Sequence, residues 1–223
     1  MTNVLLIKIR DNLLDRIVGN PANQVLNPYL GELLPELGPQ PAAELKKALD
    51  RIRVATMEED GTGVDYGLMR NDPVFVEFQK VSSPRLRGFD PASLSTRQEK
   101  MAFWINLYNA LVLDAVIHLG VQRSVTEGRL GILAFFQQAA YIVGGHRVSA
   151  DDIEHGILRS NKGHPYLPGA HFAQDDPRQK WVISPLDVRI HFALNCASRS
   201  CPPIQTYSAD QLEPQLELAE KTL

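Results

Sequence analysis

Two cysteines in 223 residues are too few to build a disulfide framework. Basic charge is also scarce: 23 lysines and arginines stand against 26 acidic residues, a net charge of −3. Neither counterion release on nucleic acid nor attraction to an anionic membrane is therefore expected to supply the main partner. No secretory leader is expected, because Lys8, Arg10 and Asp11 interrupt what would be its apolar core. The longest apolar run, Met101 to Leu119, is broken by Asn106, Asn109 and Asp114. A bilayer penalises all three, so the run predicts a buried helix of a soluble protein. No segment repeats, and no low-complexity tract occurs. These absences together lead to the expectation of a soluble, cytoplasmic protein, with no nucleic-acid or membrane partner and an open oligomeric state.

What is present is an ordinary globular composition, 44% hydrophobic and 22% charged. The length suits one large domain with a helical extension, divided here as 1–63 and 64–223. Apolar residues at 4, 5, 6, 9, 13, 14 and 17 predict a first helix. A proline-rich wrap follows at 21–41, then a helix to about Thr56, a loop at 58–63 and a short helix over Val74–Val81. This first third reads as packing material without chemistry. Thr96 and Glu99 form a capping box that opens the long helix, and Gly120 closes it. Within that helix Asn106 and Asn109 share a face, with Trp104 and Tyr108 on the next stripe. As buried amides, the two asparagines either bond the backbone of a neighbouring loop or orient a catalytic or substrate group. Gly144-Gly145 predicts a hairpin over 139–148. Ser149 caps a helix SADDIEHGILRS, in which Ile153 and Ile157 face the core. A loop rich in proline, glycine and histidine, 161–180, is either a flap or a surface excursion.

The chemistry concentrates in IHFALNCASRSCPP, 190–203. Alternation over Asp187–Asn195 predicts a strand, with Val188, Ile190, Phe192 and Leu194 inward and Arg189, His191, Ala193 and Asn195 on the other face. A thiol attacks as thiolate, so Cys196 needs a base, and that base needs an orienting group. His191 supplies the first and Glu154 or Asn106 the second, while Asn195 and loop amides stabilise an oxyanion. Two other readings stay open: Cys196 with Cys201 as a redox or structural pair, and His155, His191, Cys196 and Cys201 as zinc ligands whose spacing matches no established pattern. Each residue also has a plain structural reading. The cysteines can be small buried hydrophobes, the histidines hydrogen-bonded bridges, Tyr108 and Trp104 core, and Arg189 with Glu154 a buried salt bridge. One strand-to-loop segment holding a histidine, an asparagine, two cysteines, Ser198 and Ser200 is more polar than packing requires.

Three separated pieces in order, AFWINLYNALVL (102–113), DDIEHGILR (151–159) and DVRIHFALNCASRSCPPI (187–204), resemble the domain-of-unknown-function 547 family. A looser match, VDYGLM, lies at 64–69, so the resemblance covers roughly Val64 to the C-terminus. It implies a plant and bacterial domain, sometimes joined to modules such as glutaredoxin-like domains, without a settled activity. It also implies a further aromatic-containing segment beyond the last helix, Ala209 to about Thr222.

The expected fold is α+β: a buried central helix packed on a small antiparallel sheet that includes 139–148 and 187–195, with a helical N-terminal layer. The expected function is a cysteine-dependent hydrolase or acyltransferase acting on an amide or thioester, with a small-molecule or peptide substrate. Cys196, His191, Glu154 and Asn195 are its catalytic residues. Asn106, Asn109, Tyr108, His155, Arg189, Ser198 and Cys201 are its substrate-binding residues, and no cofactor or metal is assigned. The rival is a non-catalytic interaction domain with a structural or redox cysteine loop.

Overall fold

The computed structural model describes residues 2–19, 24–28, 41–57, 63–126, 131–197 and 204–222. The predicted wrap at 21–41 and loop at 58–63 fall mostly outside them, as do Ser198, Ser200 and Cys201. The architecture is α+β, with helices surrounding one buried helix and a two-stranded antiparallel sheet.

The buried helix, Arg97–His118, begins as the sequence predicts. The Thr96 hydroxyl accepts from the Glu99 amide at 3.1 Å, and the Thr96 amide donates to the Glu99 carboxylate at 2.8 Å. It has the length and apolarity to cross a bilayer, yet every residue from Met101 to Val116 is buried by the rest of the chain. The helix Pro41–Thr56 packs along it. The last helix, Leu212–Lys221, buries Leu212, Leu216 and Ala219, the face its spacing predicts.

The hairpin pairs Ala140–Val143 with His146–Ser149, from Ala140 opposite Ser149 to Val143 opposite His146. Gly144 and Gly145 take φ of 55° and 80°, the left-handed conformation that a tight two-residue turn needs. Asn27 closes part of the outer edge of the first strand. Its Nδ2 donates to Ile142 O at 3.0 Å, and its Oδ1 accepts from the Ile142 amide at 2.8 Å. An edge covered in this way is not open to another strand.

Two features depart from the sequence reading. Residues 187–195 are not part of the sheet but form a turn and a short helix, Ile190–Ala193. Asp187 accepts the Arg189 amide on its side chain at 3.1 Å and the Ile190 amide on its carbonyl at 3.3 Å. Ile190, Ala193 and Leu194 then go inside while Val188 is 62% exposed, a helical rather than an alternating pattern. Second, the segment after Ser149 widens into a π-helix, Asp152–Leu158, a conformation frequent at functional sites.

Asp114 ties the central helix to the sheet. Its carboxylate accepts from the Tyr141 hydroxyl and from Gln79 Nε2, each at 2.7 Å. Burial pushes this carboxyl up, against those two bonds and nearby His118. A carboxyl that holds its proton more tightly when folded adds stability below its ordinary pKa, about 3.9, and loses that contribution as pH rises through the raised value. Asp114→Asn keeps an acceptor for Tyr141 and does not ionise. Its melting temperature relative to wild type should therefore rise as pH increases above about 4. A pH-independent difference in thermal melts would refute this role of Asp114.

Candidate functional site

The cysteine loop is held from below by the central helix. Asn109 Nδ2 donates to Ala193 O at 3.1 Å and Gln205 O at 3.4 Å, and its Oδ1 accepts from the Asn195 amide at 2.9 Å. Asn106 clamps Tyr207 in the same manner, donating to its carbonyl at 2.7 Å and accepting from its amide at 2.9 Å. Both carboxamides thus bond loop backbone on either side of Cys196. Asn195 in turn accepts the Ala197 amide at 2.8 Å on its side-chain oxygen, and Ala197 sits at φ 59°. Cys196 itself is half-buried.

The π-helix supplies the neighbouring wall. Ser149 and Asp152 cap it reciprocally: the Ser149 amide donates to Asp152 Oδ2 at 2.8 Å, and the Asp152 amide to Ser149 Oγ at 3.0 Å. From this helix Glu154 reaches three groups. The Tyr108 hydroxyl donates to its Oε2 at 3.4 Å, while Oε1 lies 3.9 Å from Arg159 Nη1 and 4.0 Å from His191 Nδ1. Burial pushes the Glu154 carboxyl up. Burial, aided by Arg159, pushes His191 down, which favours the neutral imidazole a base requires.

The other predicted residues lie elsewhere. Arg189 does not meet Glu154; it pairs with Asp187 at 2.6 Å and with Glu213 at 2.7 Å, and so anchors the last helix. Trp104 is core, edge-on to Phe103 and tilted against Trp181. His155 belongs to a second cluster.

That second cluster was not legible as a site. His155 Nε2 is 3.5 Å and His164 Nε2 3.9 Å from Asp151 Oδ1, and one ligand-type atom from each of the three lies within 4.8 Å of the others. Beside them, Asp152 binds His171 Nε2 at 2.8 Å and Arg178 Nη1 at 2.9 Å. Burial raises Asp152, but Arg178 and His171 outweigh it and hold the carboxyl far below the usual range. Asp151 is pushed up to about 6, chiefly by burial. His155 is pushed down to about 3 by burial and by neighbouring His164 and Arg159. Asp151 and His164 line a cavity of about 420 Å³, walled also by Ser149, Arg147 and the first helix. The N-terminal helix therefore contributes more than packing. From it Arg10 donates to Pro168 O, Ala170 O and His171 O at 2.8–2.9 Å, strapping down the histidine loop. The loop approaches so closely that a Cβ on Gly156 would lie 2.4 Å from the Phe172 ring. The one hint in the sequence was histidine density: three in residues 155–171, next to a pair of aspartates.

An α+β domain with a clamped cysteine loop and a histidine-lined cavity, meeting along one π-helix, is the class the geometry defines. The family model described as protein of unknown function, DUF547, matches residues 91–222, and the chain belongs to that family. No curated protein and no solved structure matches the chain.

Two outcomes follow from this packing. Gly156→Ala should lose about 1–3 kcal/mol in denaturant unfolding, because the buried Phe172 ring has nowhere to move. A loss below about 0.5 kcal/mol would mean that the loop yields. Asn109→Ala leaves the Asn195 amide without its acceptor and should raise hydrogen exchange there, while protection in Leu212–Lys221 persists. Unchanged exchange at Asn195 would show that the clamp is dispensable.

Proposed function

We propose that this chain is a cysteine-dependent hydrolase or acyltransferase acting on an amide or thioester of a small molecule or peptide. The observation that carries the reading is the meeting of Glu154 with His191. A carboxylate and a neutral imidazole, from different parts of the chain, approach to 4.0 Å beside the loop that bears the thiol, within reach of an orienting hydrogen bond once a substrate closes the site.

In this reading His191 accepts the Cys196 thiol proton, and the sulfur attacks the carbonyl carbon. The oxyanion is stabilised by loop amides and the Asn195 carboxamide. Collapse expels the amine or thiol, which takes the proton from His191 and leaves an acyl-cysteine. Water or an acceptor amine, deprotonated by the same histidine, then releases the acyl group. Glu154 acts through His191, and the Tyr108 hydroxyl steadies Glu154 from its other oxygen. Asn109 positions the backbone that leads to Cys196.

The test is alkylation of the native chain by iodoacetamide at neutral pH, with peptide mapping, alongside turnover of a panel of small acyl thioesters and peptide amides. Cys196 should label faster than any thiol of the denatured chain. His191→Ala should slow labelling and turnover by about 100-fold, and Cys196→Ala should abolish turnover without lowering the melting temperature. If the native thiols are inert, or if the chain arrives two daltons light from a disulfide, the nucleophile is lost and the loop is structural.

A further inference from the structure

We propose that Asp151, His155 and His164 form a binding site for one zinc-type divalent transition metal, with its open coordination position facing the cavity of about 420 Å³. Two imidazoles and one carboxylate are a ligand set suited to such ions, and three protein ligands leave a place for water or an exchangeable ligand. Donor atoms around tetrahedral zinc stand roughly 3.3 Å apart. The 3.5 Å between His155 and Asp151 already meets that spacing, and the 3.9 Å between His164 and Asp151 is close to it. Both contacts are too long for hydrogen bonds, whereas His171, on the neighbouring aspartate, is hydrogen-bonded at 2.8 Å. Two of the nearby positive groups are compensated, since Arg178 and His171 are paired with Asp152, and Arg178 also with Asp176.

The other ring nitrogens define the cost of binding. His155 Nδ1 lies 3.2 Å from Arg159 Nη1, and His164 Nδ1 accepts the Tyr166 amide at 3.2 Å. Arginine only donates, so without metal both neutral rings carry their proton on Nε2, toward Asp151. A metal at Nε2 moves that proton to Nδ1 and displaces both donors. Each has somewhere to go: Arg159 stands 3.9 Å from Glu154, and the Tyr166 turn is exposed. Losing two ordinary hydrogen bonds weakens binding by roughly tenfold each, small beside the affinity of comparable ligand sets for zinc.

The experiment is titration of the metal-stripped full chain with zinc against a chromophoric chelator, together with long-range ¹H–¹⁵N spectra of the histidine rings. One zinc per chain should bind with a Kd of about 1 μM or tighter, and His155 and His164 should switch from the Nε2–H to the Nδ1–H tautomer. Asp151→Asn and His164→Ala should each weaken binding by about 100-fold or more, beyond the usual effect of losing a supporting residue. Cys196→Ala should retain the metal. His164 lies on a loop, so its variant keeps the test valid if Asp151→Asn lowers the metal-free melting temperature. Substoichiometric binding, unchanged affinity in His164→Ala, tautomers indifferent to zinc, or loss of the metal in Cys196→Ala would overturn the site. None of these outcomes depends on whether Cys196 is a nucleophile.

Discussion

The structure depends on the rule that a polar group taken out of water must find a partner, applied to one helix. Arg97–His118 is buried along sixteen consecutive residues, Met101 to Val116, and three of those, Asn106, Asn109 and Asp114, are polar. Left unsatisfied, each would cost on the order of 1–3 kcal/mol. The two asparagines hold the backbone that enters and leaves the cysteine loop, and Asp114 holds the sheet through Tyr141. Moving the loop would break four or more hydrogen bonds inside the core at once. The polar groups that interrupt this apolar helix are the same groups that fix the surrounding chain.

Legibility in the sequence followed how local the determining interactions were. The capping box at Thr96 and Glu99, the glycine pair at 144 and 145 and the helical spacing of Leu212, Leu216 and Ala219 each act within one element, and each could be read. The segment 187–195 misled because Val188, Ile190, Phe192 and Leu194 alternate, while the burial pattern follows Ile190, Ala193 and Leu194. What decides between them is the turn at Asp187, fixed by its own side chain and by the docking of Arg189 onto Glu213. The meeting of Glu154 with His191 could be suggested from residue types, since both lie in motifs rich in chemistry. The cluster of Asp151, His155 and His164 could not, because His164 sits in an aperiodic loop. Its position depends on Arg10 strapping that loop down from the far end of the chain and on Gly156 admitting Phe172.

The π-helix explains why two sets of chemical groups lie back to back. Asp151 borders the cavity with His155 against it, while Glu154 turns toward His191 and Tyr108. Ser149 and Asp152 fix where the helix starts, and Asp152 is itself fixed by His171 and Arg178. One short element is thereby tied to the hairpin, the histidine loop and the cysteine loop.

Among the described residues, Arg159 is in contact with both sets. Its Nη1 is 3.2 Å from His155 Nδ1 and 3.9 Å from Glu154 Oε1, so it stands between the imidazole and the carboxylate and moves toward the second when the first no longer accepts. Any ligand that requires a proton on His155 Nδ1 drives that exchange. A guanidinium drawn onto Glu154 favours the ionised carboxylate, and it competes with His191 for the same oxygen. The two sets of groups are therefore coupled through one guanidinium that touches both.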